Sequence, residues 1–185
     1  VYLRKPKDYI QALSEELASN GVKVIFKKMS ATNEEKRQDA IDELKSLDDI
    51  RVKVFVHSLA FGALKPVFGD TVNKSLNQKQ IEMTIDVMAN SLVYWTQDLV
   101  AADMMGKGGR IFAMTSAGGA RVWKTYGAVS AAKAALESHV RQLTLELAPL
   151  GITANAIMAG VTDTPALRKI PGSDEMITWA GRKNP

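Results

Sequence analysis

The chain has 185 residues, 46% of them hydrophobic, which is enough to build the core of one ordinary domain. It contains no cysteine and only two histidines, which excludes disulfides and leaves too few ligands for a thiolate or histidine-rich metal site. The net charge of +4 is interspersed with acidic residues, so we expect no nucleic-acid partner. Without a long apolar run or a signal-peptide layout, the sequence predicts a cytoplasmic protein with no membrane span.

The first third of the chain alternates between helix and strand patterns. Residues 1–3 read as the end of a strand, so we expect the chain to begin inside a larger domain. Apolar residues at helical spacing before Gly21 predict a helix, and residues 22–26 (VKVIF) predict a strand. A capping-box pattern then opens a second helix, and the β-branched segment at residues 52–60 (VKVFVHSLA) predicts the next strand.

The same alternation continues to the end. Apolar residues between Ile81 and Leu99 step by three and four, which predicts one long buried helix. Residues 110–116 (RIFAMTS) predict a strand, residues from about 125 to 147 a helix, and residues 152–158 (ITANAIM) a last strand. We expect the polar tail from Gly160 onward to be irregular.

Strands that lack polar alternation and alternate with helices predict a doubly wound, Rossmann-like α/β domain with a parallel sheet in three layers. Ligands of such sheets bind beyond the carboxyl ends of the strands. Any site should therefore be built from the loops that follow those ends, within a single domain spanning residues 1–185. These loops are residues 4–7, 30–33, 57–62, 116–124 and 159–164.

The stretch TYGAVSAAK places Tyr126 and Lys133 on one predicted helix. Seven residues of α-helix turn through about 700°, so the two side chains point within about 20° of each other, about 10.5 Å apart along the axis. They cannot touch, but both can reach one ligand lying along the helix. Alternatively, Lys133 is an edge residue of a buried apolar stripe that extends its charge toward water. From these residues alone, both interpretations stay open.

The surrounding motifs resemble the short-chain dehydrogenase/reductase family over nearly the whole chain. A strand ending in MTSAGGA, the tyrosine helix and the segment NAIMAGVTDT carry this likeness. The Tyr-x6-Lys spacing, in place of the family's usual Tyr-x-x-x-Lys, resembles its enoyl-acyl-carrier-protein reductase branch. The segment HSLAFG agrees with that branch, and so does Met88, which stands where ketoreductases carry an asparagine. Ser116 stands where better-known enoyl reductases have a second tyrosine. In this respect the sequence is similar to the NADPH-dependent enoyl reductases.

The resemblance implies reduction of the trans-2 double bond of an enoyl thioester, carried by acyl carrier protein or coenzyme A, in fatty-acid elongation. Tyr126 would donate a hydrogen bond to the thioester oxygen, Lys133 would bind the nicotinamide ribose, and Ser116 would orient substrate or tyrosine, or else only cap the strand end. The resemblance also implies a homotetramer and no metal. The remaining implied cofactor contacts are Arg4, Ser30, His57, Ser58, Ala60, Gly160, Val161 and Thr164.

The strand end VYLRKPK favours NADPH over NADH, because it offers Arg4, Lys5 and Lys7 to the extra phosphate and no acid before Asp8. The family's glycine-rich turn and closing strand are absent from the sequence, so we expect an internal portion of a longer protein. Two other functions stay open: a ketone or alcohol oxidoreductase of the same family, and a catalytically silent nucleotide-binding member.

Overall fold

The central sheet has three parallel strands in the order β1 (Val54–His57), β2 (Arg110–Met114) and β3 (Thr153–Ile157). The structure is a computed structural model, and it describes residue 1 and residues 5–47 and 50–183. Register places His57 opposite Ala113 and Met114 opposite Ile157, so the carboxyl ends of the three strands lie at one edge. This arrangement confirms the predicted Rossmann-like parallel α/β fold.

One face of this sheet is covered by helices. The predicted long helix is three helical segments in succession: α3 (Gln78–Ile85), a π turn (Asp86–Asn90) and α4 (Ser91–Ala101). The next helix, α5 (Gly127–Leu147), packs on β2 and β3. The hydroxyl of Thr144 on α5 is shared between the carbonyl of Val140 in the same helix, at 2.8 Å, and the carbonyl of Ala154 on β3, at 3.0 Å, and the second contact joins the helix to the strand.

The described residues form two compact units, Val1–Ile50 and Arg51–Pro185. The first unit contains α1 (Lys7–Ser19) and α2 (Glu34–Lys45). The side chain of Asn33 caps α2 by accepting from the backbone N–H of Lys36 at 2.8 Å, so the helix opens where the sequence predicts, but its cap is Asn33 and not the Thr32–Glu35 capping box. The second unit contains the sheet, α3 to α5 and α6 (Ser173–Lys183).

Two sequence predictions about local structure are wrong. Residues 22–26 form no strand. A segment with high β propensity becomes a strand only when it exchanges backbone hydrogen bonds with a neighbouring strand. The tail is not irregular: Leu167–Lys169 forms a 3₁₀ turn, and α6 follows with Asp174 and Glu175 in its first turn. The predicted strand end at residues 1–3 falls mostly on residues outside the described part.

Among the described residues, no helix is both long and apolar enough to cross a membrane. The same residues contain no cluster of three or more histidine, aspartate or glutamate side chains placed to hold a metal ion.

Candidate active site

Tyr126 occupies the N-cap position of α5, where its backbone carbonyl accepts from the N–H of Ser130 at 2.8 Å and its side chain makes no capping hydrogen bond. The preceding residue, Thr125, has a left-handed backbone with φ of 64°, which is uncommon for a β-branched residue and turns the chain sharply into the helix. The ring of Tyr126 lies against Gly118, and its hydroxyl lies 3.5 Å from Oγ of Ser116. The tyrosine is therefore held between the loop after β2 and the start of α5.

Lys133 is buried, with 6% of its surface exposed. Its ammonium donates to the carbonyl oxygen of Met114, the last residue of β2, at 2.6 Å. Burial lowers the pKa of Lys133 from 10.5 to about 8, because the charged form loses its hydration. The alternative of a lysine reaching toward water does not describe this side chain.

The exit of β2 brings the three predicted catalytic residues together. Ser116 lies two residues after Met114. The backbone carbonyl of Met114 contacts Lys133, and the side-chain hydroxyl of Ser116 contacts Tyr126. Ser116 Oγ also accepts from the backbone N–H of Gly118 at 3.2 Å, which closes a short turn beside the tyrosine ring. The result is two hydrogen-bonding groups, one phenol and one ammonium, at the carboxyl edge of the sheet.

His57 ends β1 and points into the protein, with 3% of its surface exposed. Its Nε2 lies 2.8 Å from Ser91 Oγ, and that hydroxyl donates to the carbonyl of Val87, so Nε2 carries the proton and Ser91 accepts it. Nδ1 is buried without a hydrogen-bond partner among the described residues. Burial, followed by the nearby charge of Lys133, lowers the pKa of His57 to about 4. This geometry makes His57 a neutral support for the strand end.

The residues after β1 run along α3 and α5. The predicted cofactor contacts Ser58 and Ala60 are exposed. Gly62 lies so close to α3 and α5 that a Cβ atom would come within 2.7 Å of Val129 and 2.8 Å of Thr84. Thr84 in turn accepts from the N–H of Ala63 at 3.0 Å, which holds this loop against the helices. Only glycine permits this approach.

Met88 lies in the π turn and is buried, with 2% of its surface exposed. It packs with Val129 and Ala132 of α5, and Tyr126 packs against the same cluster. A π turn inserts one extra residue into a helix and so changes which side chain faces inward. The position that resembles the ketoreductase asparagine is therefore an apolar support beneath the tyrosine.

The loop after β3 contains the predicted contacts Gly160, Val161 and Thr164. Gly160 has φ of 80°, with open space where a side chain would lie, and Val161 is 44% exposed. Thr164 Oγ1 accepts from the N–H of Leu167 at 3.1 Å, so its hydroxyl caps the turn that follows. Arg168 pairs with Asp163 through two bonds of 2.7 Å and with Asp174 at 2.6 Å, which makes this segment a folded unit.

One predicted cofactor contact, Ser30, lies in the first unit. The hydroxyl of Ser30 lies 3.2 Å from that of Thr32, and nothing in the geometry of that unit alone relates it to the site on the sheet. Arg4 lies outside the described residues.

Sequence reasoning missed two residues beside the site. Thr115, between Met114 and Ser116, donates from Oγ1 to Glu137 of α5 at 2.6 Å. The signal was available, because Glu137 follows Lys133 by four residues and therefore lies on the same face of the helix.

Comparisons with known proteins identify the family of this chain. The family model described as enoyl-(acyl carrier protein) reductase matches residues 1–185. The enoyl-acyl-carrier-protein reductase (NADH) FabI of Aquifex aeolicus is 31% identical over 132 residues, which cover 71% of this chain and 48% of that protein. The corresponding NADPH enzyme of Staphylococcus aureus is 31% identical over 121 residues, which cover 65% of this chain and 46% of that protein.

The chain spans about half the length of these curated relatives. The crystal structure of the Aquifex aeolicus enoyl-acyl-carrier-protein reductase (NADH) superposes with a TM-score of 0.81 at 25% identity. That superposition covers 100% of this chain and 70% of the other. The chain therefore belongs to the enoyl-(acyl carrier protein) reductase branch of the short-chain dehydrogenase/reductase family.

Proposed function

We propose that this protein reduces the trans-2 double bond of an enoyl thioester with NADPH as a step of fatty-acid elongation. The observation that carries the proposal is the attachment of Tyr126 and Lys133 to the two ends of one short segment, Ser116 and Met114, beside the apolar side chain of Met88. A phenol and an ammonium held at the carboxyl edge of a parallel sheet are the groups that such a reduction requires.

The residues present fit a nicotinamide cofactor. An ammonium has three donors, and one donor of Lys133 is taken by Met114, so two are available to the hydroxyls of a ribose. Gly160, with its open surroundings, permits close approach of a ligand to the backbone, and Ser58 and Ala60 offer an exposed wall. The bound cofactor would supply a hydride to the β-carbon of the enoyl thioester.

Tyr126 would stabilise the negative charge that develops on the thioester oxygen. A phenol hydroxyl can donate one hydrogen bond. Its distance of 3.5 Å from Ser116 is at the limit of a hydrogen bond, so its proton is available to a substrate oxygen. A preorganised donor of this kind contributes about 3 to 4 kcal/mol in the transition state. The charge of Lys133 would favour the same enolate.

Two substitutions separate these roles. Tyr126→Phe keeps the ring but removes the donor, so we expect turnover to fall by about 10²-fold or more while NADPH affinity is unchanged. Lys133→Ala should weaken NADPH binding as well, because its proposed partner is the ribose. Fluorescence titration with NADPH and steady-state kinetics measure the two effects. An unchanged NADPH affinity in Lys133→Ala would contradict the ribose role.

The choice of NADPH is supported by the basic residues at the end of the first predicted strand. Lys5 is near α1, with its ammonium over the ring of Tyr9 at 4.7 Å from the centroid, which leaves Arg4 as the proposed partner of the phosphate. A guanidinium binds phosphate through two parallel hydrogen bonds. We expect Arg4→Ala to raise the KM for NADPH with little change for NADH, and Lys5→Ala to change it less. A parent protein that uses NADH as well as NADPH would contradict this choice.

The reaction itself is tested with paired substrates. NADPH oxidation should be rapid with crotonyl thioester and slow with acetoacetyl thioester, each supplied on acyl carrier protein and on coenzyme A. A faster rate on the ketone would favour a ketoreductase, and no rate on either would favour a silent nucleotide-binding protein.

We propose in addition that the protein assembles as a homotetramer through its long helices. Support comes from Leu145 of α5, an apolar side chain that is 72% exposed in the single chain. Light scattering should give a mass of four chains, and Leu145→Lys should lower it. A monomeric parent protein would contradict the proposal.

A further inference from the structure

Three consecutive residues at the exit of β2 are each bonded to α5 or to the residue that caps it. Met114 accepts from Lys133 at 2.6 Å, Thr115 donates to Glu137 at 2.6 Å, and Ser116 lies 3.5 Å from the hydroxyl of Tyr126. The outer two contacts belong to the proposed catalytic residues. The middle contact, between Thr115 and Glu137, involves no residue with a proposed role in binding substrate or cofactor.

We propose that Glu137 is a positioning residue. Through its bond to Thr115, it holds the end of β2 at the position along α5 where Met114 contacts Lys133 and Ser116 contacts Tyr126. The inference rests on the proposed function, because Glu137 would support the residues to which that function is assigned. Glu137 itself would contact neither substrate nor cofactor. It acts on the segment that both functional side chains share.

The geometry of the contact is that of a strong hydrogen bond. An O–H donor and a carboxylate acceptor at 2.6 Å lie within the short range typical of charge-assisted bonds. Such a bond is stronger than the 3.5 Å contact of Ser116 with Tyr126. The stronger bond therefore fixes the position of the segment, and the weaker one is left free to open toward a substrate.

The turn that follows β2 lies beside α5 at the same place. A Cβ atom built on Gly119 would be at ordinary contact distance from this helix, 3.5 Å from Cβ of Lys133 and 3.6 Å from Oε1 of Glu137. The turn after β2 is therefore a neighbour of both residues, and the Thr115 bond is what ties the strand end to Glu137. Loss of the Thr115 bond would allow the strand end to slide along α5, and the carbonyl of Met114 would move away from the Lys133 ammonium.

The consequence for Lys133 is specific. With its carbonyl partner displaced, the ammonium would turn toward solvent, so its depressed pKa would rise toward the ordinary value and cofactor affinity would fall. A purely structural bond between helix and strand would change neither quantity. It would lower thermal stability alone.

The experiment compares Thr115→Val and Glu137→Ala with the conservative variants Thr115→Ser and Glu137→Gln. Thr144→Val is the matched control, because it also removes a threonine hydroxyl that joins α5 to a strand, in this case Ala154 of β3. The measurements are the Kd for NADPH by fluorescence, the pKa of Lys133 by NMR of the labelled side chain, and the melting temperature. All are made on the full chain.

We expect Thr115→Val and Glu137→Ala each to weaken NADPH binding by about tenfold, the change that accompanies loss of one charged hydrogen bond. The double variant should be no weaker than either single one, because both remove the same bond. Thr115→Ser and Glu137→Gln should bind NADPH within about twofold of the parent. Thr144→Val should melt at a lower temperature with unchanged affinity.

Parent-like affinity and Lys133 pKa in Thr115→Val would overturn the inference, and so would an equal loss of affinity in Thr144→Val. If Glu137→Ala does not fold, Thr115→Val and its serine counterpart decide the matter alone. A parent protein that binds NADPH but leaves enoyl thioesters unreduced overturns the proposed function and not the positioning role. A parent protein that binds no nicotinamide cofactor overturns both.

Discussion

Gly118 lies edge-on to the ring of Tyr126, so close that an added Cβ atom would be 2.3 Å from Cε1 of the tyrosine. Real Cβ atoms essentially never approach another heavy atom so closely, and therefore a side chain here must displace either the ring or the turn after β2. The glycine is thus part of what positions the proposed proton donor.

Gly118→Ala should lower turnover of the enoyl thioester by about tenfold or more, since a displacement of about 1 Å at a reacting group costs up to 10²-fold. Gly119→Ala is the matched control, because its Cβ atom would meet its nearest neighbours at 3.5 Å, an ordinary contact. Steady-state kinetics and thermal melts of both variants provide the measurement. Equal turnover in the two variants would contradict the role given to Gly118.

Helical spacing in the sequence predicts that Tyr126 and Lys133 share one face of a helix, but it leaves open whether the two residues act on one ligand. It does not predict the residues that hold the two side chains in place. Tyr126 contacts Ser116 and Lys133 contacts Met114, and the position of β2 relative to α5 depends on packing between elements far apart in the sequence. Thr125 illustrates the same limit: nothing in its identity indicates a left-handed backbone, which is set by the turn around it.

The two wrong predictions have different causes. The segment at residues 22–26 has a strong β pattern, but a pattern is local and a strand needs a neighbour. The helix α6 was predictable in principle, because Gly172 with φ of 82° precedes it and two acidic residues occupy its first turn. Its polar composition hid that signal, as α6 lies mostly at the surface.

Cofactor binding should depend on pH through Lys133. Its pKa of about 8 means that the ammonium is charged below pH 8 and loses its proton as the pH rises through that value. We therefore expect NADPH affinity to fall between about pH 7 and pH 9, because the proposed ribose contact needs the charged donor. In Lys133→Met the affinity should be weak and nearly independent of pH across the same range. A parent profile as flat as that of the variant would contradict the assignment.

The buried His57 should make the protein sensitive to acid. Its pKa is lowered from 6.5 to about 4 in the folded state, chiefly by burial. Between these values the unfolded chain binds more protons than the folded one, so the free energy of unfolding falls as the pH falls through this window. The loss approaches roughly 3 kcal/mol once the pH is below about 4.

Urea unfolding at several pH values between 4 and 7 measures this contribution. His57→Gln is the comparison, because its amide still donates to Ser91 and does not titrate. The difference in stability between parent and variant should shrink or reverse as the pH falls. An equal slope in both proteins would assign the acid sensitivity to other groups.

We expect Met88 to affect the selectivity between carbon–carbon and carbon–oxygen double bonds. Ketone reduction produces an alkoxide that must be protonated as it forms, and the related ketoreductases carry an asparagine at the position that Met88 resembles. Here the side chain is 2% exposed and packs with Val129 and Ala132 beneath Tyr126, so this side of the site excludes water. An enolate needs only a hydrogen bond at its oxygen, which is the role proposed for Tyr126.

Met88→Asn should therefore not convert the protein into a ketoreductase. It would bury an amide among apolar side chains and leave a smaller volume, which should lower the free energy of unfolding by about 2 to 4 kcal/mol. Met88→Leu is the control and should cost less than about 1.5 kcal/mol. Activity on acetoacetyl thioester should stay low in all three proteins, because Lys133 remains two helical turns from Tyr126, in place of the single turn that is usual in the family. Acetoacetyl reduction by Met88→Asn at a rate near that of crotonyl reduction by the parent would show that this one side chain sets the selectivity.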